Sequence, residues 1–213
     1  MVQIKSKERV RDLAEVYTNE REVKAMMDLV PLRSADDIVS YKFLEPACGN
    51  GNFLVEILKR KLNRINEKYS KKSLCTYEFY LIRALTTIYG IDICSENVEE
   101  ARERLFLEAK SSFDTHKGSY NYSQGFLPCI KYVLEKNIVL GDSINQPSMI
   151  VVIDFKVKGK RYEQRFFNYN DLTGRNPQPI KIIQPRHYSE IGRLYQIETG
   201  IYYEGNQRHL EFI

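Results

Sequence analysis

The residues best placed to do chemistry run from Glu45 through Pro46, Ala47, Cys48, Gly49 and Asn50 to Gly51. A Gly-x-Gly turn between a strand and a helix lets the backbone approach a ligand closely and brings bare amides beside it, which suits a nucleotide-like cofactor. A dinucleotide site would add a third glycine at position 54 and an acid about twenty residues further on. Position 54 is Leu, and the first strand-end acid is Asp92. Glu45, just ahead of the turn, would repel a diphosphate but would accept hydrogen bonds from an ammonium and from ribose hydroxyls. The carboxylate favours S-adenosylmethionine over NAD.

Two further acids close apolar runs, Asp92 in Gly90-Ile91-Asp92-Ile93 and Asp142 after Ile138-Val139-Leu140-Gly141. Each has an ordinary reading, Asp92 as a solvated acid that starts a loop and Asp142 as turn chemistry. Cys48, Cys75, Cys94 and Cys129 show no metal-ligand spacing, and three of them lie in or beside apolar runs, so reduced core thiols and no metal are expected. His116, His187 and His209 show no ligand or triad spacing either.

These groups need elements to hold them. Asn19 with Glu22 forms a capping box for a helix that turns Val23, Met26, Met27 and Val30 inward before Pro31. Residues 41–45 read as a strand, and Leu54, Ile57, Leu58, Leu62, Ile65 and Tyr69 recur at helical spacing behind the glycine turn. A second helix carries Tyr77, Tyr80, Leu81, Ala84, Leu85 and Ile88, and residues 89–93 form the next strand. Ser95 can cap the helix that buries Val98, Ala101 and Leu105, and Phe126 to Leu134 supply one more helical face before the strand at 138–140. This alternation predicts an α/β fold with a parallel sheet and helices on both faces, doubly wound but incomplete. Past Pro147 the residues turn β-branched, with a hairpin at Lys158-Gly159-Lys160, prolines at 177, 179 and 185 that break long elements, a short helix at 188–196 and a strand at 201–203. The expected organisation is a cofactor-binding unit over 1–146 and a β-rich extension over 147–213 that completes or flanks the sheet.

The stretch Phe43-Leu44-Glu45-Pro46-Ala47-Cys48-Gly49-Asn50-Gly51-Asn52-Phe53 closely resembles the cofactor motif of amino-directed DNA methyltransferases, in which an acid, Pro, two residues and Gly-x-Gly precede Phe or Leu. Ala14-Glu15-Val16-Tyr17-Thr18 is similar to the upstream segment that covers the methionine moiety in the adenine-specific group. The resemblance implies a Rossmann-like methyltransferase sheet and S-adenosylmethionine held by Tyr17, Thr18, Glu45, Pro46, Ala47, Gly49, Gly51, Phe53, Asp92, Ile93 and Asp142. Asp92 would accept from the ribose and Asp142 from the adenine amino group. It covers roughly residues 14–145, and it implies a component of a restriction-modification or mobile-element system that methylates adenine in DNA, similar to short restriction-enzyme M subunits.

The family's catalytic signature of the Asn-Pro-Pro-Tyr kind is not found. Asp154-Phe155-Lys156-Val157 has an acid and an aromatic but no paired prolines, and Arg175-Asn176-Pro177-Gln178-Pro179 has no aromatic and no apolar strand leading in. An exocyclic adenine nitrogen is a poor nucleophile until it is held in line with the methyl group, so cofactor binding alone does not give transfer. No catalytic residue can be assigned; a partner methyltransferase or restriction subunit would complete the site, and the alternative is a non-catalytic cofactor-binding module.

Lys plus Arg exceed Asp plus Glu by 32 to 28, a mild excess that permits DNA as a partner without demanding it. Basic residues 156, 158, 160, 161 and 165, interleaved with Phe155, Tyr162, Phe166, Phe167 and Tyr169, could grip phosphates and stack bases, or could be the solvated face of a hairpin. The absence of a bilayer-length apolar stretch or an apolar leader points to a soluble, cytoplasmic protein with no membrane partner.

Overall fold

The apolar spacing that begins at Leu54 gives helix α2, Asn52–Tyr69, which buries Leu54, Ile57, Leu58, Leu62 and Ile65. It is the central helix of a computed structural model that describes residues 18–31, 37–173 and 177–201. Ahead of it stand α1, Glu20–Asp28, and strand β1, Phe43–Glu45; after it come α3, Leu74–Leu85, β2, Ile88–Asp92, α4, Ser95–Lys117, α5, Phe126–Asn137, and β3, Ile138–Leu140. Strands β4, Val151–Lys158, β5, Arg161–Asn168, and β6, Lys181–Arg186, follow, and helix α6 runs Tyr188–Thr199. Among the described residues the fold is therefore α/β, with six helices and two three-stranded sheets.

The first sheet is parallel in the order β1-β2-β3, with Phe43 beside Ile88 and Gly90 beside Ile138. Such pairings place the carboxyl ends of all three strands at one edge, where open α/β sheets bind ligands. Helices α2 and α4 pack on each other and on β2. On the face carrying Tyr89 and Ile91, where the alternation predicts helices, the sheet meets the β4–β5 hairpin: Ile91 packs with Ile150, Val152 and Phe167, and the Tyr89 hydroxyl donates to the Ile153 carbonyl at 3.1 Å. The hairpin turns at Gly159-Lys160, as its sequence predicts, with Lys158 paired to Arg161.

Several local expectations change. The Asn19–Glu22 capping box is present, yet α1 buries Val23 and Met27 and leaves Met26 53% exposed, because a helix this short offers only a narrow stripe to the core. The cap of α4 is Cys94, not Ser95, and the Asp92 carboxylate accepts from the Cys94 amide at 2.9 Å at the entry to the helix. Pro185 does not prevent a strand: β6 runs through it at the sheet edge, beside a register shift, where a missing N–H costs no ladder bond. Phe155, Tyr162 and Phe167 are buried, so of the hairpin's alternating residues the aromatics form core and Lys156, Lys158, Lys160 and Arg161 face water. The 201–203 strand expectation falls largely on residues outside those described.

At the amino ends of β1 and β2, Lys61 on α2 is fully buried. Its ammonium donates to the carbonyls of Ile38 and Tyr41 at 2.7 Å each and to the Thr87 hydroxyl at 2.8 Å, which ties the chain ahead of β1 to the chain ahead of β2.

Candidate cofactor site

Three loops meet at the carboxyl edge of the parallel sheet, and hydrogen bonds lock them together. The Cys48 amide donates to the Ile91 carbonyl at 2.9 Å, the Gly141 amide donates to the Asp92 carbonyl at 2.9 Å, and the Ser143 hydroxyl reaches the Pro46 carbonyl at 2.9 Å. Residues 45–51, Asp92 and 141–143, far apart in sequence, thus form one corner.

Within it, Gly49 and Gly51 both adopt positive φ, 53° and 85°, the left-handed region where other residues are strained. Gly51 is pressed against α4: a Cβ there would lie 3.0 Å from the Ala101 Cβ. Gly49 is the opposite case, since a Cβ there would meet nothing within 4 Å among the described residues. One glycine serves packing from behind, and the other leaves space in front.

The turn uses its own amides more than its sequence suggests. Gly49 N–H donates to Asp92 Oδ2 at 2.8 Å, and Gly51 N–H donates to the Cys48 carbonyl at 2.9 Å. Those two amides hold the loop, so close backbone approach, more than free donors, is what the turn offers a ligand. Asp92 is the hub: Oδ2 takes the Gly49 amide, and Oδ1 takes the Cys94 amide and the Asn97 side chain at 3.3 Å. A carboxylate has about four lone-pair positions, which leaves acceptor capacity for one more donor.

Glu45 is half-buried, and burial raises its carboxyl above the usual range, opposed by a 3.4 Å contact from the Ala47 amide. A cationic ligand here would supply the charge that burial denies it. Asp142 shows the ordinary turn chemistry expected as its bland reading: it accepts from the Asn145 amide at 2.8 Å, the Ile144 amide at 3.0 Å and the Asn145 side chain at 2.8 Å. Those bonds, the Asn145 amide first, hold its carboxyl below the usual range, so it stays ionised and keeps acceptor capacity. Pro46, Ala47 and Ile93 are exposed at the corner, and Phe53 is half-buried against the core. The Thr18 carbonyl accepts from Asn52 Nδ2 at 3.1 Å, which brings this residue to the turn; Tyr17 lies outside the described residues.

Asn50, Asn52, Glu100 and Arg104 contribute side chains at the corner that sequence reasoning missed. Asn50 Nδ2 donates to Glu100 Oε1 at 2.8 Å, and Arg104 donates to the Asn50 carbonyl at 2.7 Å and to Asn52 Oδ1 at 2.9 Å. The available signal was the one-turn spacing of Glu100 and Arg104 on α4, which places both on one face. Cys48 is buried, and burial pushes its thiol up to about 12, while Cys129 is buried as well and Cys75 is exposed; none of the four cysteines forms a disulfide. Among the described residues no cluster has a metal-binding set.

The first catalytic candidate, Asp154-Phe155, is not presented as a base-holding group. Phe155 is 1% exposed inside β4, and Asp154 is paired with Lys42 at 2.6 Å, which is the hairpin reading of this stretch. Arg175 and Asn176 lie outside the described residues; Pro177 lines an apolar cleft of about 290 Å³ between β1 and the hairpin, with Leu44, Tyr89, Val152 and Phe167. No helix among the described residues is long and apolar enough to cross a membrane.

Comparison with known proteins gives the family. A family model described as the MmeI DNA-methyltransferase domain matches residues 5–163, well over half of the 213. A protein of Methanocaldococcus jannaschii, by its name a candidate type II restriction enzyme and methyltransferase, is 30% identical over 111 residues. That stretch is 51% of this chain and 9% of the relative, so the chain spans a small part of the relative's length. No solved structure matches at a significant level.

Proposed function

This chain belongs to the MmeI family of DNA-methyltransferase domains found in restriction-modification systems, and from that premise we propose that it binds S-adenosylmethionine at the carboxyl edge of β1, β2 and β3. Residues 1–146 act as a Rossmann-like cofactor unit, incomplete as a doubly wound sheet, and 147–213 as an extension flanking it. The observation that carries the reading is the convergence of the Glu45–Gly51 turn, Asp92 and Asp142 into one hydrogen-bonded corner.

The residues fit the ligand. Among the described residues, Gly49 leaves open space where a side chain would stand and Glu45 has no cation beside it, while Asp92 and Asp142 retain acceptor positions. Glu45 would face the ammonium end, Asp92 the ribose and Asp142 the adenine amino group, with Tyr17, Thr18, Pro46, Ala47, Gly51, Phe53 and Ile93 shaping the walls. When bound, the cofactor supplies an electrophilic methyl group on sulfur.

The chain's part is to fix that methyl group's direction; adenine in DNA is the substrate in this reading. A partner methyltransferase or restriction subunit supplies the groups that hold the base. Calorimetric titration of the 213-residue chain with S-adenosylmethionine tests the cofactor step. Micromolar binding supports it, and no heat at millimolar ligand refutes it. A second reading, a non-catalytic cofactor-binding module, is favoured by the burial of Phe155 and the Lys42–Asp154 ion pair. It wins if the cofactor binds but labelled methyl never reaches DNA with any candidate partner present.

A further inference from the structure

Helix α4 holds the glycine turn at three consecutive residues. Glu100 accepts from the Asn50 side chain, Ala101 abuts Gly51 so closely that a Cβ at that glycine would lie 3.0 Å from the Ala101 Cβ, and Arg104 bonds both the Asn50 carbonyl and Asn52 Oδ1. The contact at Asn52 passes onward. Its Oδ1 accepts from Arg104, so its Nδ2 is free to donate to the Thr18 carbonyl, and the two bonds together fix which way the amide points.

We infer that Arg104 is a positioning residue for the methionine end of the cofactor. Its guanidinium sets the height of the turn at Asn50 and, through Asn52, the distance between that turn and the chain at Thr18. This inference rests on the cofactor reading above and adds a division of labour to it. The adenosine end depends on Asp92 and Asp142, which Arg104 does not contact in this network, whereas the amino-acid end lies between two segments that Arg104 holds apart. Arginine suits the task because one rigid, permanently charged planar group can bond a backbone carbonyl and a side-chain amide together. Lysine in its place offers a point charge on a flexible stem and would recover only part of the geometry.

The test compares two probes on the 213-residue chain: S-adenosylmethionine, and methylthioadenosine, which keeps the adenosine and lacks the amino-acid end. Arg104→Ala should weaken S-adenosylmethionine about tenfold, the scale of one lost charge-assisted hydrogen bond, and leave methylthioadenosine within about twofold. Arg104→Lys should fall between Arg104→Ala and the parent. Equal weakening of both probes would show a merely structural role and overturn the inference, as would no change in either. Should Arg104→Ala fail to fold, Asn52→Ala decides by the same two-probe criterion, since it cuts the link to Thr18 while leaving the Asn50 carbonyl bond. A parent chain that binds neither probe overturns the cofactor reading itself, and the inference falls with it; a parent that binds both alongside an indifferent Arg104→Ala removes the inference alone.

Discussion

The two ends of the parallel sheet are built on opposite plans. At the amino end the Lys61 amine is wholly out of solvent, with its nearest acceptors at 2.7, 2.7 and 2.8 Å. Burial, with the nearby Arg83 charge adding to it, pulls its pKa down to about 6. At the carboxyl end Glu45, Asp92 and Asp142 are only half-buried, and each keeps room for another donor. A polar group that is closed on all sides fixes the fold, and one left partly open can bind. The same strands therefore carry a stability device at one end and a recognition corner at the other, and substitutions should separate the two.

The largest effect is expected from Lys61→Met. Removing the amine leaves the buried Ile38 carbonyl and the part-buried Tyr41 carbonyl without that donor, and each such group costs roughly 1–3 kcal/mol, for a loss of about 3 kcal/mol. Urea denaturation measures it, and the folded fraction should bind S-adenosylmethionine with parent affinity. A loss below about 1 kcal/mol, or a matching fall in affinity, would erase the contrast between the two ends.

Next come the paired glycines, which repeat the contrast within one turn. Gly51→Val places a branched side chain at φ 85° against Ala101, and left-handed strain with overpacking should cost about 2 kcal/mol or more in stability. Gly49→Ala meets open space, so only strain at φ 53°, about 1 kcal/mol, opposes it, while its methyl group projects where the ligand would come. Thermal melts and calorimetry together should find Gly51→Val worse for stability and Gly49→Ala worse for binding relative to its stability loss. The reverse ranking would put the ligand on the other side of the turn.

How legible this was in the sequence follows the range of the interactions. Helical spacing places α2 to α5 and the alternation places the hairpin, because both depend on neighbours within a few residues. The glycine turn and the acids Asp92 and Asp142 stand out for the same reason. What sequence does not give is which partner a polar group finds. Lys61 lies one turn from Ile57 and Ile65, on the buried stripe, yet reads as an ordinary charged helix residue until Tyr41 and Thr87 close over it. Arg104 and Asn52 are 52 positions apart, and nothing local announces their bond. On the hairpin, alternation identifies two faces but not which faces the core, so Phe155, Tyr162 and Phe167 could be read as stacking groups until helices α3 and α5 and the first sheet bury them.

Asp142→Ala should leave folding almost unchanged, because the carboxylate only organises its own turn at Ile144 and Asn145. Methylthioadenosine binding should weaken about tenfold if the side chain also accepts from the adenine amino group. Binding unaltered by this change would leave Asp142 as turn chemistry alone and move the adenine contact elsewhere in the corner.

The smallest effect, a pH dependence, tests the openness of Glu45 itself. Burial raises its carboxyl in the free protein, so the folded chain takes up a proton there at a higher pH than an unfolded chain does. A raised acid binds more protons when folded, and its contribution to stability therefore declines as the pH rises through the carboxylate range. Affinity for a cationic ligand should run the other way, because the ligand's ammonium favours the ionised carboxyl: binding of S-adenosylmethionine should fall a few-fold, by about that order, between neutral pH and pH 5. Methylthioadenosine, with no ammonium, should show no such slope, and Glu45→Gln should flatten the S-adenosylmethionine slope. Parallel slopes for the two ligands, or an unchanged slope in Glu45→Gln, would mean that Glu45 faces no cation, and the carboxyl edge of β1 would then resemble the closed amino end more than its open geometry implies.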